Sequence, residues 1–148
     1  MSSSFSVSDY RGLKAWQCAI NNAVRVRDVV SRFPRRGYAE LKEQMVTSAE
    51  SVCNNIAEGR AASSSKDYRK FLDSAAKSAS ELRGQIDLGR KYGIIRDQTA
   101  INLAGSVICN SRLIRGLQAS SVEDERRRKT KIGRRRTIQE RDEGDHRF

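Results

Sequence analysis

The 148-residue chain carries a formal net charge of +11, from 29 Lys and Arg against 18 Asp and Glu. Its length suits one domain with one hydrophobic core. With a single proline and ten glycines among many helix-forming residues, the composition predicts an all-α protein rather than a β-rich one. The excess positive charge favours an anionic partner, of which nucleic acid is the commonest.

The cysteine and histidine content argues against a metal centre and a disulfide framework. Cys18, Cys53 and Cys109 lie far apart in helical patterns, and the only histidine is His146. We therefore expect no metal, no cofactor and a reducing compartment. The sequence holds no apolar run of about 20 residues and no signal-peptide pattern at its start, so we expect a cytoplasmic protein with no membrane partner.

Two helices are predicted in the first 60 residues. The first begins at a cap provided by Ser8 or Asp9 and ends before Phe33-Pro34. Its periodic apolar positions are Leu13, Trp16, Ile20, Ala23, Val26 or Arg27, and Val30. The second runs from about Tyr38 to Gly59, which is interpreted as a C-terminal glycine stop. Its predicted core positions are Leu41, Met45, Ser48 or Ala49, Val52 and Ile56.

Two more helices follow. Ser64 and Asp67 form a capping box for the third, which ends at Tyr92-Gly93. Its stripe comprises Tyr68, Leu72, Ala75, Ala79, Leu82 and Ile86. The fourth is predicted to start at Asp97 and to end near Ser120, where the apolar periodicity stops. Its apolar stripe comprises Ile101, Ala104, Ile108, Ser111 and Leu117, widened by Val107 and Ile114.

Short connections between four helices predict an antiparallel up-down-up-down four-helix bundle over residues 8–120. Residues 121–148 are charged and almost free of apolar side chains. Such a segment cannot bury enough surface to offset its ordering entropy, so we expect a disordered basic tail.

A set of residues in this order resembles the four-helix-bundle family of 23S ribosomal RNA intervening-sequence proteins. The similarity spans about residues 10–118, and its most specific element is NIAEG at residues 55–59. The other matching positions are Leu13 to Gln17, Phe33-Pro34, Gln44, Ser51, Phe71-Leu72, Ala75, Ser78 and Glu81-Leu82.

The resemblance implies a small bacterial protein that assembles as a homopentamer and has no known catalytic activity. It also implies a link to the accessory variability protein of diversity-generating retroelements, a basic pentamer that binds a reverse transcriptase and nucleic acid. The chain departs from the family pattern at Cys53, at Val46-Thr47 and at Lys77. The family usually has basic residues at 46 and 47, so we expect no binding role for these two positions in this chain.

Polar residues in the second and third helices suggest a layer that fixes helix register. Asn55 and Glu58 share one helix face, as do Ser78 and Glu81. A hydrogen-bonded layer between antiparallel helices would set their register even with little gain in stability. The alternative is that Glu58 and Asn54 face water near a helix end.

The parts needed for catalysis are missing. Glu58 and Glu81 could serve as an acid and base, but carboxylate di-metal bundles need Glu-x-x-His pairs. Ser48, Ser51, Cys18 and Cys53 have no histidine to activate them. The sequence therefore predicts a protein that is not an enzyme.

Two basic segments are candidates for contacting nucleic-acid phosphates. The first comprises Arg32, Arg35 and Arg36 at the first turn, together with Arg25, which shares a face of the first helix with Arg32. The second is the block RRRKTKIGRRR at 126–136, whose basic residues are Arg126, Arg127, Arg128, Lys129, Lys131, Arg134, Arg135 and Arg136. Phe33 lies beside the first segment, whereas the second has no aromatic residue before Phe148, so base stacking is not offered there. Contacts of either segment would be to phosphates, without reading sequence. Each could also be simply a solvated surface.

The sequence leaves three kinds of function to compare: a nucleic-acid-binding homo-oligomer, a scaffold that docks a partner protein such as a reverse transcriptase, and an enzyme. The first is favoured, because ring symmetry would repeat the basic surface and strengthen its field. RNA and DNA are not distinguished by the sequence.

Overall fold

The structure is a computed structural model that describes residues 9–145; Ser8, His146 and Phe148 lie outside the described residues. It comprises a short 3-10 helix at Tyr10–Gly12 and four α-helices. These are α1 (Lys14–Ser31), α2 (Ala39–Arg60), α3 (Ser65–Lys91) and α4 (Asp97–Asp145). The prediction of an all-α four-helix bundle is confirmed.

Each helix packs on two others, which defines the bundle. The long helix pair α2 and α3 forms the most extensive contact, and α1 and α4 close the opposite side. Between the helices, glycines with positive φ reverse the chain, Gly37 at 95° and Gly93 at 77°. A left-handed backbone of this kind suits glycine because it has no Cβ.

The first helix starts later than expected. Asp9 caps the 3-10 turn instead, accepting a hydrogen bond from the backbone N–H of Arg11 at 2.9 Å. Leu13 then adopts an extended conformation, and α1 begins at Lys14. The ion pair with Arg11 also lowers the pKa of the Asp9 carboxyl.

The predicted core positions of α2 and α3 are buried, apart from the half-buried Tyr68. In α1 and α4, Val26, Val30, Val107 and Ile114 are buried as predicted, but the other predicted positions are partly buried or exposed, so the buried face is rotated from the predicted stripe. The buried residues of α1 are Ala15, Ala19, Asn22, Val26 and Val30. Those of the first half of α4 are Ala100, Leu103, Val107, Asn110 and Ile114. Ile101, expected in the core, has 51% of its surface exposed. Apolar periodicity missed this rotation because the true stripes contain two asparagines.

Gly59 does not end α2, which continues to Arg60. A Cβ at Gly59 would lie 3.0 Å from Cβ of Phe71 and 3.1 Å from the Tyr68 ring. The glycine is therefore required for the close approach of α3 rather than as a left-handed cap.

The fourth helix does not end near Ser120 but continues to Asp145, over 49 residues. Glu, Arg, Lys and Gln favour helix, and ion pairs at i,i+3 and i,i+4 link Glu123 to Arg126 and Arg127. Residues 121–145 therefore form a helix, here called the extension, so the prediction of a disordered tail is wrong for these residues. The extension nevertheless buries little, as its composition predicts: all described side chains from 126 onward are exposed.

Candidate nucleic-acid interface

A cavity of about 370 Å³ lies between the C-terminal half of α1 and the start of α4. Its apolar floor comprises Val29, Ile94, Ile95 and Leu103. Its polar wall comprises Arg25, Asp28, Arg32, Arg96, Thr99 and Asn102. We call this cavity the basic groove, because three arginines face a single carboxylate.

The carboxylate neutralises only part of this charge. Asp28 lies 3.3 Å from the Arg32 guanidinium, and both side chains are largely exposed, so the pair adds little stability. Within residues 9–145, neither Arg25 nor Arg96 forms an ion pair. Two exposed guanidinium groups are thus available to an anion in this groove.

Local structure holds the arginines in one place. Arg25 and Arg32 are seven residues apart on α1 and therefore share a helix face. The turn after α3 fixes Arg96, since the amides of Ile94 and Ile95 both donate to the carbonyl of Gly89, at 3.1 and 3.2 Å. Arg90 closes the same turn by donating to Asp97 at 2.9 Å.

The groove contains only part of the predicted basic patch. Arg25 and Arg32 line it, whereas Arg35 and Arg36 are exposed in the turn between α1 and α2 and do not. Arg96 was missed by the sequence analysis. Its position before the first residue of α4 was visible in the sequence, but its approach to α1 depends on the closed turn.

The basic residues of the extension are exposed and are distributed around the whole circumference of the helix. Arg126 and Arg127 donate to Glu123, and Lys129 lies 3.3 Å from Glu125. These pairs lower the pKa of both carboxyls, mainly through Arg126 at Glu123 and through Arg69 of α3 at Glu125. The remaining basic residues of the block lack an acidic partner among residues 9–145: Arg128, Lys131, Arg134, Arg135 and Arg136.

The predicted polar layer is present in a smaller form. Ser51 and Ser78 share a hydrogen bond of 2.8 Å between α2 and α3, and Asn55 donates to the Ser51 carbonyl and hydroxyl at 2.8 and 3.1 Å. Glu58 and Glu81 do not join this cluster, because both are exposed. Asn55 thus reaches α3 only through Ser51.

A second polar cluster, missed by the sequence analysis, joins α1 to α4. Ser106 donates to Asn22 at 2.5 Å, and Asn110 donates to the carbonyl of Ala15 at 2.8 Å. Both asparagines are 2% exposed. Because α1 and α4 also form the walls of the basic groove, these bonds help to set its width.

Two of the three cysteines are at least partly buried. Burial raises the pKa of the Cys18 thiol, and it raises that of Cys53 to about 11. Thiols with raised pKa values are poor nucleophiles at neutral pH. Across residues 9–145, no group of three or more potential ligands is arranged to hold a metal ion. No helix in the same range is long and apolar enough to cross a membrane.

Fold and surface together define a helical bundle with a basic groove and a basic extension. A sequence model of the 23S rRNA-intervening sequence protein family matches residues 11–116, and the chain belongs to this family.

Among solved structures, the chain is similar to a protein of unknown function from the S23 ribosomal protein family of Bacteroides thetaiotaomicron. The two are 19% identical, with a TM-score of 0.66 over 70% of this chain and 97% of the other. At this identity the similarity supports the fold alone. A comparison with curated proteins finds no match.

Proposed function

We propose that the protein is a non-enzymatic, cytoplasmic, nucleic-acid-binding protein that contacts backbone phosphates. The observation that carries the proposal is the basic groove, in which Arg25 and Arg96 have no acidic partner among residues 9–145 and Asp28 pairs with Arg32. Guanidinium groups pair well with phosphate oxygens and need no base contacts to do so. Binding is therefore expected to depend weakly on sequence and strongly on salt.

The extension supplies a second contact surface. Its helical conformation presents basic side chains in all directions over about 37 Å, at 1.5 Å per residue. A helix of this charge can follow the phosphates of a nucleic-acid groove without aromatic stacking. The family's description as 23S rRNA-intervening sequence proteins makes RNA the first ligand to test.

We further propose that the chain forms a ring-like homo-oligomer, with a pentamer as the specific expectation. The support is an open strip along α4, where Ile101 and Leu113 are exposed by 51% and 37%. Gly105 and Gly116 on the same helix have open space beside them. Apolar and small residues of this kind allow close approach by another subunit. Light scattering should give the mass of five chains, and a monomer at micromolar concentration would contradict the proposal.

The test of binding compares the full chain with one that ends at Ser120. Fluorescence anisotropy with labelled single-stranded RNA and duplex DNA, over a salt series, should detect binding by both proteins. We expect the shorter chain to bind more weakly because it lacks the extension but to retain a salt-dependent affinity from the groove.

Two other results of this binding experiment would contradict the proposal. Binding by the full chain alone would move the nucleic-acid site to the extension and contradict a site in the groove. If neither protein binds at low salt, the nucleic-acid proposal fails, and the alternative of a scaffold docking an acidic partner such as a reverse transcriptase becomes the better one.

A further inference from the structure

A second cavity, of about 220 Å³, lies at the connection between α2 and α3, away from the basic groove. Its polar lining comes from three parts of the chain: Arg60 of α2, Ser63 and Ser65 at the connection, and Arg128 of the extension. Tyr68 of α3 completes the wall. No carboxylate lines this cavity, which distinguishes it from the basic groove with its Asp28.

The connection offers hydrogen-bond donors to an anion. The first-turn amides of a helix have no acceptor within the helix, and α3 is 27 residues long. The Ser64 hydroxyl accepts from the amide of Asp67 at 3.1 Å and so serves as the cap. The amides of Ser65 and Lys66 and the two other serine hydroxyls remain as donors for a ligand.

The hydroxyl group of Tyr68 gives a second, independent indication that a ligand binds in this cavity. Its hydroxyl oxygen is shielded from solvent and, in the part of the chain that the structure describes, makes no hydrogen bond. Buried hydroxyls are normally hydrogen-bonded, and an orphaned one calls for an explanation such as a bound ligand. The Arg60 guanidinium lies 5.9 Å from the centre of the Tyr68 ring, so a positive charge faces the ring in the wall of this cavity.

The extension is held so that Arg128 reaches the cavity. Ser121, at its start, is 6% exposed, and Glu125 pairs with Arg69 of α3. Because Glu125 and Arg128 are three residues apart in one helix, they share a face. The ion pair therefore orients Arg128 towards the start of α3.

We propose that this cavity binds a phosphate group, with Arg60 and Arg128 as the charged contacts and Tyr68 and the serines as hydrogen-bond donors. The site combines guanidinium groups, hydroxyls and a helix N-terminus, the groups that bind phosphate in proteins. It offers contacts to a single phosphate group, whereas the basic groove is proposed to contact the phosphates of a polymer. The phosphate can belong to the end of a nucleic-acid strand or to a small phosphorylated molecule.

Inorganic phosphate is the probe for the first test, with the full chain at constant ionic strength. Backbone amide NMR signals of Ser63, Ser65 and Lys66 should shift on titration. Arg128→Gln and Tyr68→Phe should each weaken the apparent affinity by about tenfold, since each removes a contact to a charged ligand. The matched controls are Arg141→Gln on the same helix and Tyr92→Phe on an exposed ring, and both should bind phosphate like the parent.

The proposal is overturned if phosphate leaves these amides unchanged, or if Arg128→Gln and Tyr68→Phe bind it as tightly as their controls. Replacing Arg25, Arg32 and Arg96 by glutamine should not alter phosphate binding in this cavity. The proposal for this site and the proposal for the basic groove can therefore be refuted independently. Competition by a 5′-phosphorylated oligonucleotide, but not its 5′-hydroxyl form, would identify a strand end as the source. Competition by a phosphorylated sugar alone would identify a small molecule.

Discussion

Replacing Asn110 by alanine tests the contact between α1 and α4 that supports the basic groove. Asn110 is 2% exposed, and its amide donates to the carbonyl of Ala15 at 2.8 Å, between positions 95 residues apart. The substitution removes this hydrogen bond and leaves a small void between the helices. Together these effects should lower the free energy of unfolding by about 2 kcal/mol, within a range of 1 to 3.

Alanine also has a higher helix propensity than asparagine, which would mask part of the loss. Asn21→Ala is the matched control, because Asn21 is an exposed residue inside α1. This control should be neutral or stabilise the protein by up to about 0.5 kcal/mol. The difference between the two variants therefore reports the tertiary contact of Asn110.

Urea unfolding followed by far-ultraviolet circular dichroism measures both variants. The protein concentration must be the same throughout, since assembly would make stability concentration-dependent. The expected loss corresponds to a melting temperature lower by roughly 5–10 °C for a chain of this size. If Asn110→Ala and Asn21→Ala agree within about 0.5 kcal/mol, the buried bond does not stabilise the α1–α4 contact.

Three further predictions follow from packing, exposure and thiol chemistry. Gly59→Ala should destabilise the protein by about 1 kcal/mol because its Cβ would crowd Phe71, whereas Gly84→Ala, with open space, should stabilise it by a similar amount in the same urea assay. Ending the chain at Ser120 should remove helical signal in proportion to about half of α4, yet change the melting temperature by only a few degrees; a large fall would show that the extension packs. Exposed Cys109 should react with a thiol reagent at neutral pH much faster than Cys53, whose burial raises its pKa to about 11; equal rates would contradict this.

The sequence predicts α2 and α3 well because their core residues are apolar and regularly spaced. Leu72, Ala75, Ala79, Leu82 and Ile86 are all essentially buried. The predicted N-cap at Ser64 is also present, with its hydroxyl accepting from the Asp67 amide. These features depend on local spacing, which the sequence shows directly.

Other features depend on contacts between distant segments. Asn22 and Asn110 occupy core positions of α1 and α4, and no local pattern marks a buried asparagine as hydrogen-bonded. Arg96 joins the basic groove only after the turn beyond α3 closes. The extension is a related case: composition correctly predicts that it buries little, but ion pairs such as Glu123 with Arg126 support helix without burial.

The most direct test of the proposed function is the salt dependence of RNA binding by a variant with glutamine at Arg25, Arg32 and Arg96. The matched control carries glutamine at three exposed residues outside the groove, Lys42, Lys77 and Arg83, and loses the same charge. With single-stranded RNA, loss of three phosphate contacts should flatten the slope of log K against log salt by about 2, equally across RNA sequences. The control should keep nearly the parent slope, and both variants should keep the parent's helical content. Identical slopes for the two variants would show that binding follows overall charge, and that the basic groove is not the nucleic-acid site.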